Sequence, residues 1–180
     1  MEITMSPTRE KYPLSPKKII KKTITSMIGW FFGLSSLLLM IGGMVGGIMS
    51  DSNQDMTSFL SFLFISLYIF VFLMVVIALL TYLYQRWYFA LYYYDIREDY
   101  IVIKKGPIAP KEITIPWERI QDVYVDQDIF DRMFGLFDVH LSTATLTSGI
   151  QAHIDGVEQQ ASDGLRTVLL DKVKSRISKK

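Results

Sequence analysis

Few residues in this 180-residue chain are suited to chemistry, and they cluster. His140 and His153 are the only histidines, and cysteine is absent. A hairpin centred on Leu146 and Thr147 sets His140 opposite His153 and Asp138 opposite Asp155. Side chains on one face of a strand recur every second residue, so all four share a face. Two imidazoles and two carboxylates suit a divalent cation, or a patch that charges in mild acid. Ordinary solvated strand positions give the same pattern, and they are the expectation; a metal at His140 and His153 is the lesser alternative. Without cysteine there are no disulfides, thiolate zinc sites, iron–sulfur clusters or cysteine nucleophiles. No phosphate-cradling glycine loop, Gly-x-Ser-x-Gly elbow or paired-carboxylate cleft is recognisable, so no cofactor and no catalytic residue is expected.

A second group is basic. Lys17, Lys18, Lys21 and Lys22 stand immediately before a long apolar stretch. Such clusters set membrane orientation and attract anionic lipid headgroups. Residues 86–180 carry 13 basic against 14 acidic groups, a balance that disfavours nucleic acid as a partner.

The elements behind these residues begin with two charge-free stretches, Thr23 to Ser50 and Met56 to Gln85. Each exceeds the roughly 20 apolar residues that a helix needs to cross a bilayer. Residues 51–55 between them are polar and acidic, and read as a short external loop. The basic residues before the first span and Arg86 after the second favour cytoplasmic termini, in the plasma membrane. The first span is too long for a secretory h-region and is expected to remain. The division is then a basic segment 1–22, a transmembrane hairpin 23–86 and a cytoplasmic domain 87–180.

Within the first span Gly29, Gly33, Gly43 and Gly47 fall along one helical stripe. Small residues let helix backbones approach closely in lipid. The expectation is a groove that receives the bulky side chains of the second span; the alternative is a seat for a second copy or a partner helix. Neither span holds an acid or base, which argues against a pump, channel or intramembrane protease acting alone. The aromatic run from Tyr82 to Tyr94 suits the headgroup level.

Beyond it, short alternating segments predict strands over 89–96, 100–105, 112–115, 120–127, 137–145 and 149–155. Ile120 has the opposite parity to Val123 and Val125, which predicts a bulge. Residues 129–134 read as a helical turn stopped by Gly135. Asp155 and Glu158 have capping-box spacing ahead of an amphipathic helix reaching Val173, with Gly164 predicted to lie close to the sheet. The basic tail, from Lys172 to Lys180, is expected to be solvated or lipid-facing.

The stretch Ile115–Leu136, IPWERIQDVYVDQDIFDRMFGL, resembles the bacterial pleckstrin-homology-like (PH-like) domain of YdbS-type membrane proteins. The resemblance also takes in the preceding hairpin, Thr143–Ala144 and Leu165–Arg166, with Met133 standing where leucine is common. It implies a membrane α-helical hairpin followed by an α+β PH-like domain, an antiparallel roll of about seven strands capped by a C-terminal helix. It implies no reaction. Its polar motif positions are Arg119, Gln121, Asp122 and Arg132, beside Gly135. One reading makes them a structural network, with an arginine on Asp122 and Gln121 holding the Gly135 turn. The other makes them a recognition surface. The expectation is a non-enzymatic accessory module at the inner leaflet, with membrane lipids and a protein partner or second copy as its contacts. The alternative is an envelope-stress or export factor that senses a lipid or peptide.

Overall fold

The computed structural model describes residues 6–51, 56–143 and 152–177. The expected external loop, the hairpin tip at 146–148 and the tail beyond 177 lie outside the described residues. The chain divides into two units: residues 22–84, and a domain made of residues 1–21 together with 85–180.

The first unit holds most of two long helices, α2 (Lys17–Asp51) and α3 (Met56–Leu91). Both are long and apolar enough to cross a membrane. At about 1.5 Å per residue each is about 50 Å long, so either outreaches a hydrocarbon core of about 30 Å. Both run further than the charge-free stretches. α2 starts at Lys17, and α3 continues through the aromatic run to Leu91. The strand expected from Phe89 therefore begins only at Tyr93.

The domain contains two three-stranded antiparallel sheets among the described residues. The first joins β1 (Tyr93–Ile96), β2 (Tyr100–Lys105) and β3 (Lys111–Pro116). Its β1–β2 turn is pinned by Trp117, whose buried indole N–H donates to the Glu98 carbonyl at 2.9 Å. The second joins β4 (Ile120–Asp126), β5 (Leu136–Thr143) and β6 (His153–Glu158). The predicted bulge is present as a register shift between Ile120 and Asp122, and it brings Ile120 and Val123 into the core together. Between β4 and β5, α4 (Ile129–Phe134) opens with a reciprocal Asp128–Asp131 capping box and stops at Gly135 in the left-handed region, φ 65°. Six described strands fall short of the seven that the resemblance implies.

The closing helix α5 (Gln159–Ile177) lays Ala161, Leu165 and Leu169 on Val139, Leu141, Ile154 and Val157 of the second sheet. Its start corrects the predicted capping box. β6 runs on to Glu158, because Gly156 (φ 79°) absorbs an extra residue in a bulge opposite β5. Asp155 is consequently a buried strand residue. Gly164 does lie under a close contact, but with the Tyr12 ring rather than the sheet.

That contact exposes the larger correction. Residues 6–21 are not a separate segment: they form a strap that completes the domain. The short helix α1 (Pro7–Lys11) is capped by Ser6, whose hydroxyl also donates to the Tyr94 carbonyl. Thr8 Oγ1 accepts from Ile96 N–H at 3.1 Å. Ser15 N–H donates to the Gly156 carbonyl at 2.9 Å, and Leu14 bridges to Val157. The strap thus satisfies free backbone groups on the edges of both β1 and β6, groups that would otherwise be open to pairing with another chain.

Candidate functional site

The pleat of the second sheet separates two chemistries. Val123, Val139, Leu141 and Ile154 face the core, and Tyr124, Asp126, Asp138, His140, His153 and Asp155 alternate with them on the opposite face. Across that face three rings form a ladder. Tyr124 stacks on His140 at 4.9 Å and His140 on His153 at 5.2 Å. His140 pairs with His153 in register, as the sequence predicts. Asp138 does not pair with Asp155, because the Gly156 bulge intervenes, and its Oδ1 accepts from Gly156 N–H at 2.7 Å instead.

Two lysines of the strap close over this face. Lys18, 4% exposed, places Nζ 3.1 Å from Asp155 Oδ2 and 4.3 Å from the Tyr92 ring centre. Lys21, 2% exposed, bonds Asp131 and lies 2.9 Å from Asp128 Oδ2. The expected lipid-headgroup role therefore fails for Lys18 and Lys21, which are spent inside the domain. Lys17 is exposed and pairs with Glu158 at 3.2 Å; Lys22 is half-buried. Lys18 and Lys21 are three residues apart and so share one helix face. Lys17 and Lys21, and Lys18 and Lys22, are four apart and share a face equally well, so the sequence does not single out the buried two.

The electrostatics follow from this burial. Asp138 is pushed up to about 7, first by desolvation and then by the charge of Asp155. His153 is pulled down to about 4 by burial and by the positive charges around it, Lys105 foremost. Among the described residues its Nδ1 has no hydrogen-bond partner. Burial alone would lower Lys21, but its bonds to Asp131 and Asp128 outweigh that and hold it above its ordinary value. On the strap, burial lowers Arg9, whose Nη2 donates to the Phe89 carbonyl at 3.1 Å.

Of the four groups considered for a metal, Asp155 is committed to Lys18. The structure groups Asp126, Asp138 and His140 instead, with ligand atoms all within 4.8 Å of one another. Two carboxylates and one imidazole suit a borderline divalent cation. Here, however, His140 Nε2 meets Asp126 at 3.1 Å and Asp138 holds the bulge, so the arrangement works as a polar ladder.

The motif residues lie elsewhere and point outward. Arg119, Gln121, Asp122 and Arg132 are all exposed. Asp122 accepts from the neighbouring Val123 N–H at 2.8 Å rather than from an arginine. The Gly135 turn is held by Gln127, whose Nε2 donates to the Leu136 carbonyl at 2.8 Å, and not by Gln121. The structural network expected of this motif is thus made by other residues.

Among the described residues the glycine stripe stays open in the helical unit. A methyl added at Gly29, Gly33, Gly43 or Gly47 meets no described residue within 4 Å. Gly46, beside the stripe, receives a ring from α3, Phe59 at 3.5 Å. Bulky contacts such as Phe31 on Phe70, at 5.9 Å, bridge the helices away from the stripe.

Neither a curated protein sequence nor a solved structure matches the chain. The family model for the bacterial PH domain matches residues 29–173, leaving the strap outside it. The match covers most of the chain and takes in both sheets, the α4 turn and nearly all of α5, so this protein belongs to the bacterial PH domain family.

Proposed function

We propose that the protein is a YdbS-like component of the cytoplasmic membrane, anchored by α2 and α3 with both termini inside, whose PH domain recognises a partner at the inner leaflet without catalysing a reaction. The anchor is supported by large apolar side chains exposed along both helices, among them Phe32, Leu39, Met40, Phe64 and Tyr68. Orientation is supported by the basic residues ahead of the first span.

The observation that carries the recognition reading is the outward display of Arg119, Gln121, Asp122 and Arg132. The domain is held together by other polar groups, so these four are available for contact. The test is photo-crosslinking in native membranes from Gln121 in the full chain. A discrete stoichiometric adduct that disappears when the other three are changed to alanine supports the reading. Release of the chain by carbonate washing, or no adduct from any of the four positions, overturns it. The open glycine stripe favours a second reading, in which another helix packs against Gly29, Gly33, Gly43 and Gly47 and the assembly senses a lipid or peptide.

A further inference from the structure

Of the sheet edges in the domain, the strap covers β1 and β6, and β3 ends in Pro116, which has no N–H to offer. β4 is the outer strand of the second sheet, and no described strand pairs with its far side. The register fixes which backbone groups face out there. Leu141 N–H donates to the Ala152 carbonyl at 2.9 Å, so Leu141 directs its backbone groups toward β6. Val123 and Val125 stand opposite Leu141 and Val139 as the non-hydrogen-bonded pairs of the β4–β5 ladder, and turn their N–H and C=O to the open edge. There the Val123 N–H is met by the carboxylate of its own neighbour, Asp122 Oδ1 at 2.8 Å.

We infer that β4 takes up an extended segment of a partner protein as an added antiparallel strand, with an arginine of that segment lying on Tyr124. This rests on the recognition reading above and names the kind of partner it requires. The incoming carbonyl takes the Val123 N–H and releases the Asp122 carboxylate. Tyr124 bonds its backbone toward His140 on β5, so on the open side it forms a non-hydrogen-bonded pair, in which side chains come closest. One face of its ring is stacked on His140 at 4.9 Å, and the other faces away from β5, where the Tyr124–His140–His153 ladder lacks its next rung. Charge chooses the residue for that rung. Exposed Asp122 and Asp126 flank Tyr124 on the same face, and neither β4 nor β5 contains a lysine or arginine. Asp126 meets His140 Nε2 through Oδ1, at 3.1 Å, and has its second oxygen to offer. A guanidinium can stack flat on the Tyr124 ring while its N–H groups reach the carboxylates on either side. Backbone bonds give an added strand its affinity whatever its sequence, so the arginine supplies the specificity.

The full chain in detergent is titrated with a short fluorescent peptide that alternates Thr and Val around one central Arg. Strand addition gives saturable binding and slows hydrogen exchange at the Val123 and Val125 amides, while the Tyr124 amide, already bonded to β5, is unchanged. Replacing the peptide's Arg by Gln, or Tyr124→Leu, weakens binding by about fivefold. Val125→Pro removes an N–H that β5 does not use and weakens binding by about tenfold. Tyr124→Leu, which leaves the backbone untouched, decides the case if Val125→Pro does not fold. No binding, equal binding by Val125→Pro, or binding without protection at Val123 and Val125 overturns the inference. So does protection of both amides before peptide is added, which shows the edge filled by a second copy or by the chain itself. The photo-crosslink from Gln121 in native membranes separates the two layers. An adduct that survives Val125→Pro refutes strand addition alone, whereas no adduct from any of the four motif positions removes the recognition reading beneath it.

Discussion

Lys18 places its ammonium 2.8 Å from the Asp155 carbonyl oxygen and 3.1 Å from the Asp155 carboxylate, joining residues 137 positions apart in the chain. Both side chains are buried, so neither charge can fall back on water when the other is removed. Lys18→Met should cost about 3 kcal/mol, and the Lys18→Met/Asp155→Asn pair less than the sum of the single changes. Denaturant melts of the full chain in detergent measure this. Exposed Lys17→Met should leave the midpoint unchanged, and a neutral Lys18→Met would rule out the buried pair.

The carboxylate beside that pair acts in the opposite sense. Asp138 titrates near 7 in the folded chain and near its ordinary 3.8 when unfolded. Between these values the folded state holds the extra proton, so stability falls as pH rises through the window and is flat above it. Asp138→Asn, which can keep the bond to Gly156 N–H, should raise the thermal midpoint at about pH 8 by about 5 °C and do little at about pH 4. An equal shift at both pH values would show that the charge is not the cause.

His153 supplies the counterweight. Its folded value of about 4 lies below the ordinary 6.5, so the unfolded chain takes the proton first and stability drops as pH falls between them. In the intact protein this loss offsets the gain from Asp138 across the same range. His153→Phe, which keeps a ring against His140, should unmask a chain that grows more stable from about pH 6.5 down to about pH 4. A profile as flat as that of the parent would mean that His153 is not held neutral by the fold.

Two glycines with positive φ separate backbone conformation from space. Gly135 (φ 65°) has no described residue within 4 Å of an added methyl, and Gly156 (φ 79°) has Lys18 Cδ at 2.7 Å. Gly135→Ala should cost about 1 kcal/mol, the penalty of the left-handed region alone. Gly156→Ala should cost clearly more, because the strap must also move. Thermal melts that rank them equally would argue against the tight seat of Lys18 on the bulge.

The motif makes a prediction of the reverse kind. Changing Arg119, Gln121 and Asp122 together to alanine should move the thermal midpoint by about 2 °C or less, as exposed positions do. The crosslink from Gln121 cannot report on this variant, so binding is followed from a photoreactive group at Arg132, where the yield should fall. Unfolding of the triple variant would restore a structural role for the motif.

Features governed by local pattern were legible from sequence alone. Charge-free runs marked α2 and α3, alternation marked β2, the parity change at Ile120 marked its bulge, and Gly135 marked the end of α4. The pairing of His140 with His153 followed from counting along a hairpin. What escaped were decisions taken across the chain. A lysine ahead of an apolar helix reads the same whether it meets a phosphate or a buried aspartate, so Lys18 and Lys21 could not be told from Lys17 and Lys22 without the fold. Asp155 and Glu158 satisfy the local rule for a helix start, yet Leu14 and Ser15 pair with the backbone at Val157 and Gly156 and keep β6 extended there. The glycine stripe shows where a helix can be approached closely, but not what approaches it.

The strap gives this chain an unusual order of assembly. Ser15 meets Glu158 across 143 positions, so the strap has to wait, unpaired, until both greasy helices and both sheets that follow it have been made. A fragment starting after the second helix would emerge with two raw strand edges and a stranded aspartate. Biogenesis of the PH domain is in this way gated by synthesis of its own anchor.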